Sequence, residues 1–247
     1  YTVPAGFTHQ DVQNALDKVR MDTTGTLVGV YLPAGQYTTA SKFQVYGKAV
    51  KVVGAGPWYT RFNAPSTQDN TDVGFRAEAS AKGSSFANFA YFGNYTSRID
   101  GPGKVFDFSN VSDIVIDNIW NEHMVCLYWG ANTDSVTIKN SRIRNMFADG
   151  VNMTNGSTDN LVTNNEARAT GDDSFALFSA IDAGGADMKN NVYDQGVPGH
   201  PDQQRGHRRP HLQRDHVPDE LRRRTAPVPD QGHRAQRHLR LRGAQER

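Results

Sequence analysis

The chain is 247 residues long, carries 27 Lys and Arg against 26 Asp and Glu for a net charge of +1, and has a single cysteine. That rules out an internal disulfide, no apolar run is long enough to span a bilayer, and the length allows one domain or part of a larger one. The near-zero charge says little about partners because it averages unlike parts: residues 1–200 hold 15 basic and 20 acidic residues, whereas 201–247 hold 12 Arg, no Lys and 6 acids.

The first segment, Tyr1-Thr2-Val3-Pro4, has neither Met nor an apolar run and reads as an internal start. Thr8 followed by Asp11 has the spacing of a capping box, with Asp in place of Glu. Behind it Val12, Ala15, Leu16 and Val19 fall at helical spacing on one apolar face. Strand-like runs follow at 27–32, closed by Pro33-Ala34-Gly35, and at 50–53, closed by Gly54-Ala55-Gly56-Pro57. Residues 66–83 are polar and predict a loop thrown out to wall a groove. Further short apolar runs stand at 86–89 and 105–108.

From there the chain repeats. Ser112-Asp113-Ile114-Val115-Ile116-Asp117-Asn118 returns as Thr133-Asp134-Ser135-Val136-Thr137-Ile138-Lys139-Asn140, and again as Thr158-Asp159-Asn160-Leu161-Val162-Thr163-Asn164-Asn165. Aligned on asparagines 118, 140 and 165, the intervals are 22 and 25 residues. Each unit adds a second strand, Val125-Cys126-Leu127-Tyr128-Trp129, Val151-Asn152-Met153 or Ser174-Phe175-Ala176-Leu177-Phe178. Strands this short at this period predict an all-β parallel solenoid, with the amphipathic helix over its open end and asparagines stacked in a ladder. Three unrelated Asn-rich turns are the plainer alternative. Cys126, inside an apolar strand, is expected to be a buried small hydrophobe.

Two of these units carry the chemistry. Asp149 lies in Phe147-Ala148-Asp149-Gly150-Val151-Asn152, and Asp172 and Asp173 lie 23 residues on in Thr170-Gly171-Asp172-Asp173-Ser174. In a solenoid, residues one coil apart stack at about 4.8 Å, so the three acids would share one patch. Carboxylates at such range can divide the work of glycosidic hydrolysis, one protonating the leaving oxygen and others activating water, with acid and base about 6.5–9.5 Å apart in inverting enzymes. Neighbouring strand residues point to opposite faces, so Asp172 and Asp173 can both reach a groove only at a turn or bulge, which Gly171 favours. Ordinary surface turn aspartates are the competing reading. Candidate sugar contacts are Trp120, His123 and Trp129, whose rings suit pyranose faces unless they fill the core, together with Asn152 and with Arg168 beside the aspartate pair. No metal ligand set is assigned, since the histidines have no metal-binding spacing.

Composition changes near residue 196. Beyond 200 there is no Ser, Asn, Ile or Met, Tyr193 is the last aromatic residue, and six of the eight histidines stand at or after His200. Residues 1–195 are therefore expected to form part of a β-helix domain, and 196–247 an unstructured Arg/His/Pro-rich tail. Arg222-Arg223-Arg224 would suit phosphates if the tail is genuine. A shift of reading frame in a GC-rich gene explains the abrupt composition better, and then no nucleic acid is expected.

At the aspartates the sequence resembles a known family. Ala148-Asp149-Gly150-Val151-Asn152 followed by Ala169-Thr170-Gly171-Asp172-Asp173-Ser174 is similar to the catalytic region of glycoside hydrolase family 87, the α-1,3-glucanases and mycodextranases. The resemblance runs loosely from Phe7 through Leu32-Pro33-Ala34-Gly35 to about Tyr193. It implies a right-handed, pectate-lyase-like β-helix in a secreted microbial enzyme that cleaves α-1,3-glucan or nigeran with inversion. It makes Asp149, Asp172 and Asp173 the catalytic acids, Asp172 the proton donor and the other two the holders of water. It requires no cofactor and leaves structural calcium open. It implies an α-glucan polysaccharide as partner, no membrane and, for a complete chain, a monomer. Polygalacturonases also use a lone Asp and then Gly-Asp-Asp, but their Asn-Thr-Asp is absent where Phe147-Ala148-Asp149 stands. A dextranase-like hydrolase and a non-catalytic polysaccharide-binding solenoid are further alternatives. With part of the groove missing and a strand edge open, the chain is expected to be inactive and prone to aggregate.

Overall fold

The computed structural model of the protein describes residues 1–179, 185–194 and 197–198. Residues 199–247, and with them the expectations about the basic segment, lie outside the described residues. The chain opens with α1 (His9–Met21) and a first coil of β1 (Gly29–Leu32), β2 (Gly35–Thr38) and β3 (Lys42–Val45). The second coil is β4 (Lys51–Gly54), β5 (Thr60–Asn63) and β6 (Gly74–Ala77). In the third and fourth, one long strand bridges the first two positions: β7 (Ser85–Phe92) with β8 (Lys104–Ser109), then β9 (Val115–Glu122) with β10 (Cys126–Ala131). Then come β11 (Thr137–Lys139), β12 (Arg142–Arg144) and β13 (Val151–Thr154), and after them β14 (Leu161–Thr163), β15 (Glu166–Arg168) and β16 (Phe175–Phe178). Last are β17 (Val192–Asp194) and β18 (Val197–Pro198), the latter paired with β15 beside the expected limit of the fold at residue 195.

All strand pairings among the described residues are parallel. One sheet runs β1-β4-β7-β9-β11-β14-β17 with β2, β5, β12, β15 and β18 attached, and the other runs β3-β6-β8-β10-β13-β16. The fold is a right-handed parallel β-helix, the hand that parallel crossover connections take.

The core follows from the alternation of each strand. Three inward columns stack in register: Val30-Val52-Phe86-Ile116-Ile138-Val162, then Tyr37-Phe62-Tyr91-Asn121-Ile143-Ala167, then Phe43-Phe75-Phe106-Tyr128-Val151-Phe175. Phe75 stacks on Phe106 with ring centroids 5.6 Å apart. Burying such a ring contributes roughly 1.5–3 kcal/mol. α1 closes the first coil with Val12, Ala15, Leu16 and Val19, and the expected capping box forms between Thr8 and Asp11.

Coils turn at residues of positive φ, where Asn and Asp are tolerated best. Asn118, Asn140 and Asn164 share one corner at φ 53°, 55° and 51°. Asn164 Nδ2 donates to Asn140 Oδ1 at 2.6 Å, and Asn118 Nδ2 donates to Asn88 Oδ1 at 3.0 Å. The asparagines stack as expected but the bonded ladder is broken between Asn118 and Asn140, where Asn140 Nδ2 donates to Asp117 Oδ1 at 2.7 Å, and the third member of the corner is Asn164, not Asn165. Asn165 is buried, donating to Ile138 O and accepting from Ser141 N, each at 2.9 Å.

A second correction concerns residues 66–83. They are not wholly a loop: β6 lies inside them, with Val73, Phe75 and Ala77 buried, because Val-Gly-Phe-Arg-Ala alternates as a strand does. The true excursion before β6 is tied to the β7–β8 loop. Asn94 is the knot: its Nδ2 donates to Pro65 O, Gln68 O and Thr71 Oγ1, at 2.9, 2.7 and 2.7 Å, and its Oδ1 accepts from Thr71 N at 2.8 Å. Asp72 secures the end of the second loop, accepting from Gly103 N at 2.8 Å and pairing with Lys42 at 2.6 Å.

Candidate active site

Asp149 stands just before β13, and Asp172 and Asp173 stand in the bend between β15 and β16, one coil on. The bend is where adjacent residues can both face out, as the sequence required. Gly150 N donates to Asp173 O at 2.9 Å and Asp172 N to Ala148 O at 3.2 Å, which fixes the register of the two turns. Glycine is needed here for close approach: a Cβ on Gly150 would sit 2.3 Å from Ser174 O, and one on Gly171 would sit 2.4 Å from Phe147 O.

One oxygen from each of the three carboxylates lies within 4.8 Å of the other two, so the acids share one patch as the coil spacing requires. Asp149 is half-buried, whereas Asp172 and Asp173 are exposed. Burial pushes the Asp149 carboxyl above its ordinary range, the charges of Asp172 and Asp173 push it the same way, and a hydrogen bond from Asn152 acts against them. That bond runs from Asn152 Nδ2 to Asp149 Oδ2 at 2.7 Å. Three oxygen donors would suit a hard cation. They equally suit acid–base work, and nothing else in the described cluster points to an ion.

The candidates are not all in one place. Asn152 is buried, 5% exposed, and oriented on Asp149, with no hydrogen-bond partner for its Oδ1. Trp129 is its outward neighbour in register on β10, with Lys104 Nζ 4.6 Å from the ring centroid. His123 is exposed at a corner, at φ 57°, in the column of Asn145 and Ala169. Trp120 faces outward on β9, in the other sheet, with Arg142 4.5 Å from its ring centroid. Arg168 pairs with Glu166 and not with the aspartate pair that follows it.

The arginine that reaches the aspartates is one the sequence did not disclose. Arg98, on the β7–β8 loop, sets Nη1 2.6 Å from Asp172 Oδ2 and Nε 3.1 Å from Asp100 Oδ1. The bonds to Asp172 and Asp100 raise its guanidinium above the ordinary value. The contact spans 74 residues, so no local spacing announces it.

The family model for the α-1,3-glucanase catalytic domain D2 matches residues 6–197. The catalytic domain of a glycoside hydrolase family 87 α-1,3-glucanase, solved in complex with nigerose, is 51% identical over 73% of this chain and 32% of its own, with a TM-score of 0.69. A single Asp-to-Ala variant of such a domain, in complex with tetrasaccharides, is 43% identical over 80% of this chain and 39% of its own, with a TM-score of 0.73. The catalytic unit of the thermostable family 87 α-1,3-glucanase from Streptomyces thermodiastaticus is 23% identical over 79% of this chain and 34% of its own, with a TM-score of 0.61, a likeness of fold. No curated protein matches. The chain spans about a third of the length of the solved relatives.

Proposed function

The chain belongs to the α-1,3-glucanase catalytic domain family of glycoside hydrolase family 87, and since it spans about a third of the length of its solved relatives we propose that the whole catalytic domain, of which it forms part, hydrolyses the α-1,3 linkages of glucan through Asp149, Asp172 and Asp173. The observation that carries the proposal is the meeting of the three carboxylates, from two coils, within 4.8 Å. Relatives give support. Their domains hold nigerose or tetrasaccharides, some as single Asp-to-Ala variants, and the replaced positions are spaced 23 and 1 apart, as Asp149, Asp172 and Asp173 are.

In the proposed step the Asp172 carboxyl gives its proton to the glycosidic oxygen as the bond from that oxygen to C1 breaks. Water held by Asp149 and Asp173 attacks C1 from the opposite face, and its proton passes to that pair. The product is a reducing end of inverted configuration. In the unliganded site Asp172 is shared with Arg98, so the donor role requires the entering glucan to draw the arginine away. No cofactor enters the step. Such an enzyme would act as a monomer outside the producing cell, where polymeric glucan is met.

Carboxylate oxygens that approach within 4.8 Å also admit one second reading, a retaining displacement, for which carboxyl groups about 5–5.5 Å apart are needed. One of the aspartates would then attack C1 itself. Asp172→Asn tests the site under either reading: hydrolysis of α-1,3-glucan should fall by about 10²–10⁴-fold while nigero-oligosaccharide binding persists. Hydrolysis at the unsubstituted rate would remove Asp172 from the reaction.

A further inference from the structure

On the outer face of β5, β7, β9 and β12 lies a cleft of about 210 Å³ lined by Trp58, Arg61, Trp120, Glu122, Arg142 and Arg144 among others. Its floor is built by register. Arg61, Ala90, Trp120 and Arg142 form one outward column across four coils. Trp58 leans in from the turn after β4 and meets Trp120 edge to face, centroids 4.7 Å apart at 75°. Trp58 remains 65% exposed, an indole held in place by a partner ring and not by burial.

We propose that this cleft is a glucan-binding subsite, seating a pyranose ring of the chain that is cut at the aspartates. The inference rests on the α-1,3-glucanase reading and extends it to residues outside the triad. Two indoles at a steep angle offer a floor and a wall to the C–H faces of a sugar ring. Polar groups for its hydroxyls stand around them. The Glu122 carboxylate lines the cleft and makes no ion pair among the described residues. The volume falls below the roughly 300–1,000 Å³ of sites for larger ligands, which suits a single ring. Charge does not select the ligand: Arg61, Arg142 and Arg144 outnumber Glu122 in the lining and Glu166 is shared among Arg142, Arg144 and Arg168, so the choice of a neutral glucan rests on the α-1,3-glucanase reading. Position also fits, because β12 contributes to the cleft and its coil continues directly into Asp149.

Trp58 is the residue to change, since its exposure sets it apart from the buried core, and circular dichroism checks that the fold persists. In an Asp172→Asn background, nigerotetraose is titrated by calorimetry and by tryptophan fluorescence. Trp58→Ala should raise Kd about tenfold, the scale of one lost stacking contact, and Trp58→Tyr should recover most of it. A Kd unchanged by Trp58→Ala overturns the subsite. Tighter, Trp58-dependent binding of an oligogalacturonate than of nigerotetraose overturns the ligand class. The two readings fail separately. Trp58-dependent binding by a protein that never cuts α-1,3-glucan sinks the catalytic reading alone, and triad-dependent cutting with Trp58→Ala binding at full strength sinks the subsite alone.

Discussion

Asp149 is the residue at which the site's acidity is set. Its carboxyl is raised by burial and by two neighbouring carboxylates, and lowered by the Asn152 side chain and, less, by the Asp173 backbone N–H. Removing the side-chain donor by Asn152→Ala withdraws support from the anion and raises the carboxyl further. As a holder of water Asp149 must be ionised, so the acid limb of kcat/KM should move to higher pH in this variant. A limb that stays in place would separate Asp149 from the titration. The same elevation has a stability consequence. A carboxyl raised on folding binds protons more readily in the folded state, so it weakens the fold above its pKa and stops doing so as pH falls through it. Asp149→Asn should thus lose activity yet raise Tm at pH 7 by about 1–2 °C, a small gain because the group is only half-buried. The three aspartates were legible in the sequence because a coil's length separates them. Arg98 was not, because a loop contact across 74 residues leaves no periodic trace, and Arg168, though adjacent in sequence, pairs with Glu166.

At the scale of elements, the turns do more than the strands to bring the acids together. Gly150 and Gly171 let successive turns approach, and Gly150→Ala would force its Cβ against Ser174 O, now 2.3 Å from that position. Such a substitution should separate Asp149 from Asp173 and cost about 10²-fold in kcat, the effect of a misplacement near 1 Å. Wild-type turnover in Gly150→Ala would show that the coil spacing at this turn is not what assembles the site. The β-branched strands and the helix with its capping box could be read directly, since their apolar periods are unmistakable. Asn165 could not be placed, because two adjacent asparagines both suit a turn and only strand register says which one takes the left-handed corner. β6 was hidden by the polar run before it, although Val73, Phe75 and Ala77 alternate.

Across the molecule, an aromatic column in the early coils carries the later coils of shorter strands where the aspartates sit. Phe75 is its hub, fully buried and within ring contact of Phe43, Phe62, Phe86 and Phe106. Phe75→Ala should destabilise the fold by about 3–5 kcal/mol, read as a lower urea midpoint, and an unchanged midpoint would deny the column that role. The solenoid was legible from its period, but the two faces it builds were not. Trp120 and Trp129 lie nine residues apart in sequence and yet belong to different sheets, one beside Trp58 and the other beside Asn152. The stereochemistry of the product reports on how the three carboxylates act together. Hydrolysis of an α-1,3-gluco-oligosaccharide followed by proton NMR should show the β-anomer at the new reducing end first, with the α-anomer appearing only by mutarotation. Initial release of the α-anomer would contradict direct attack by water and assign one aspartate the role of nucleophile.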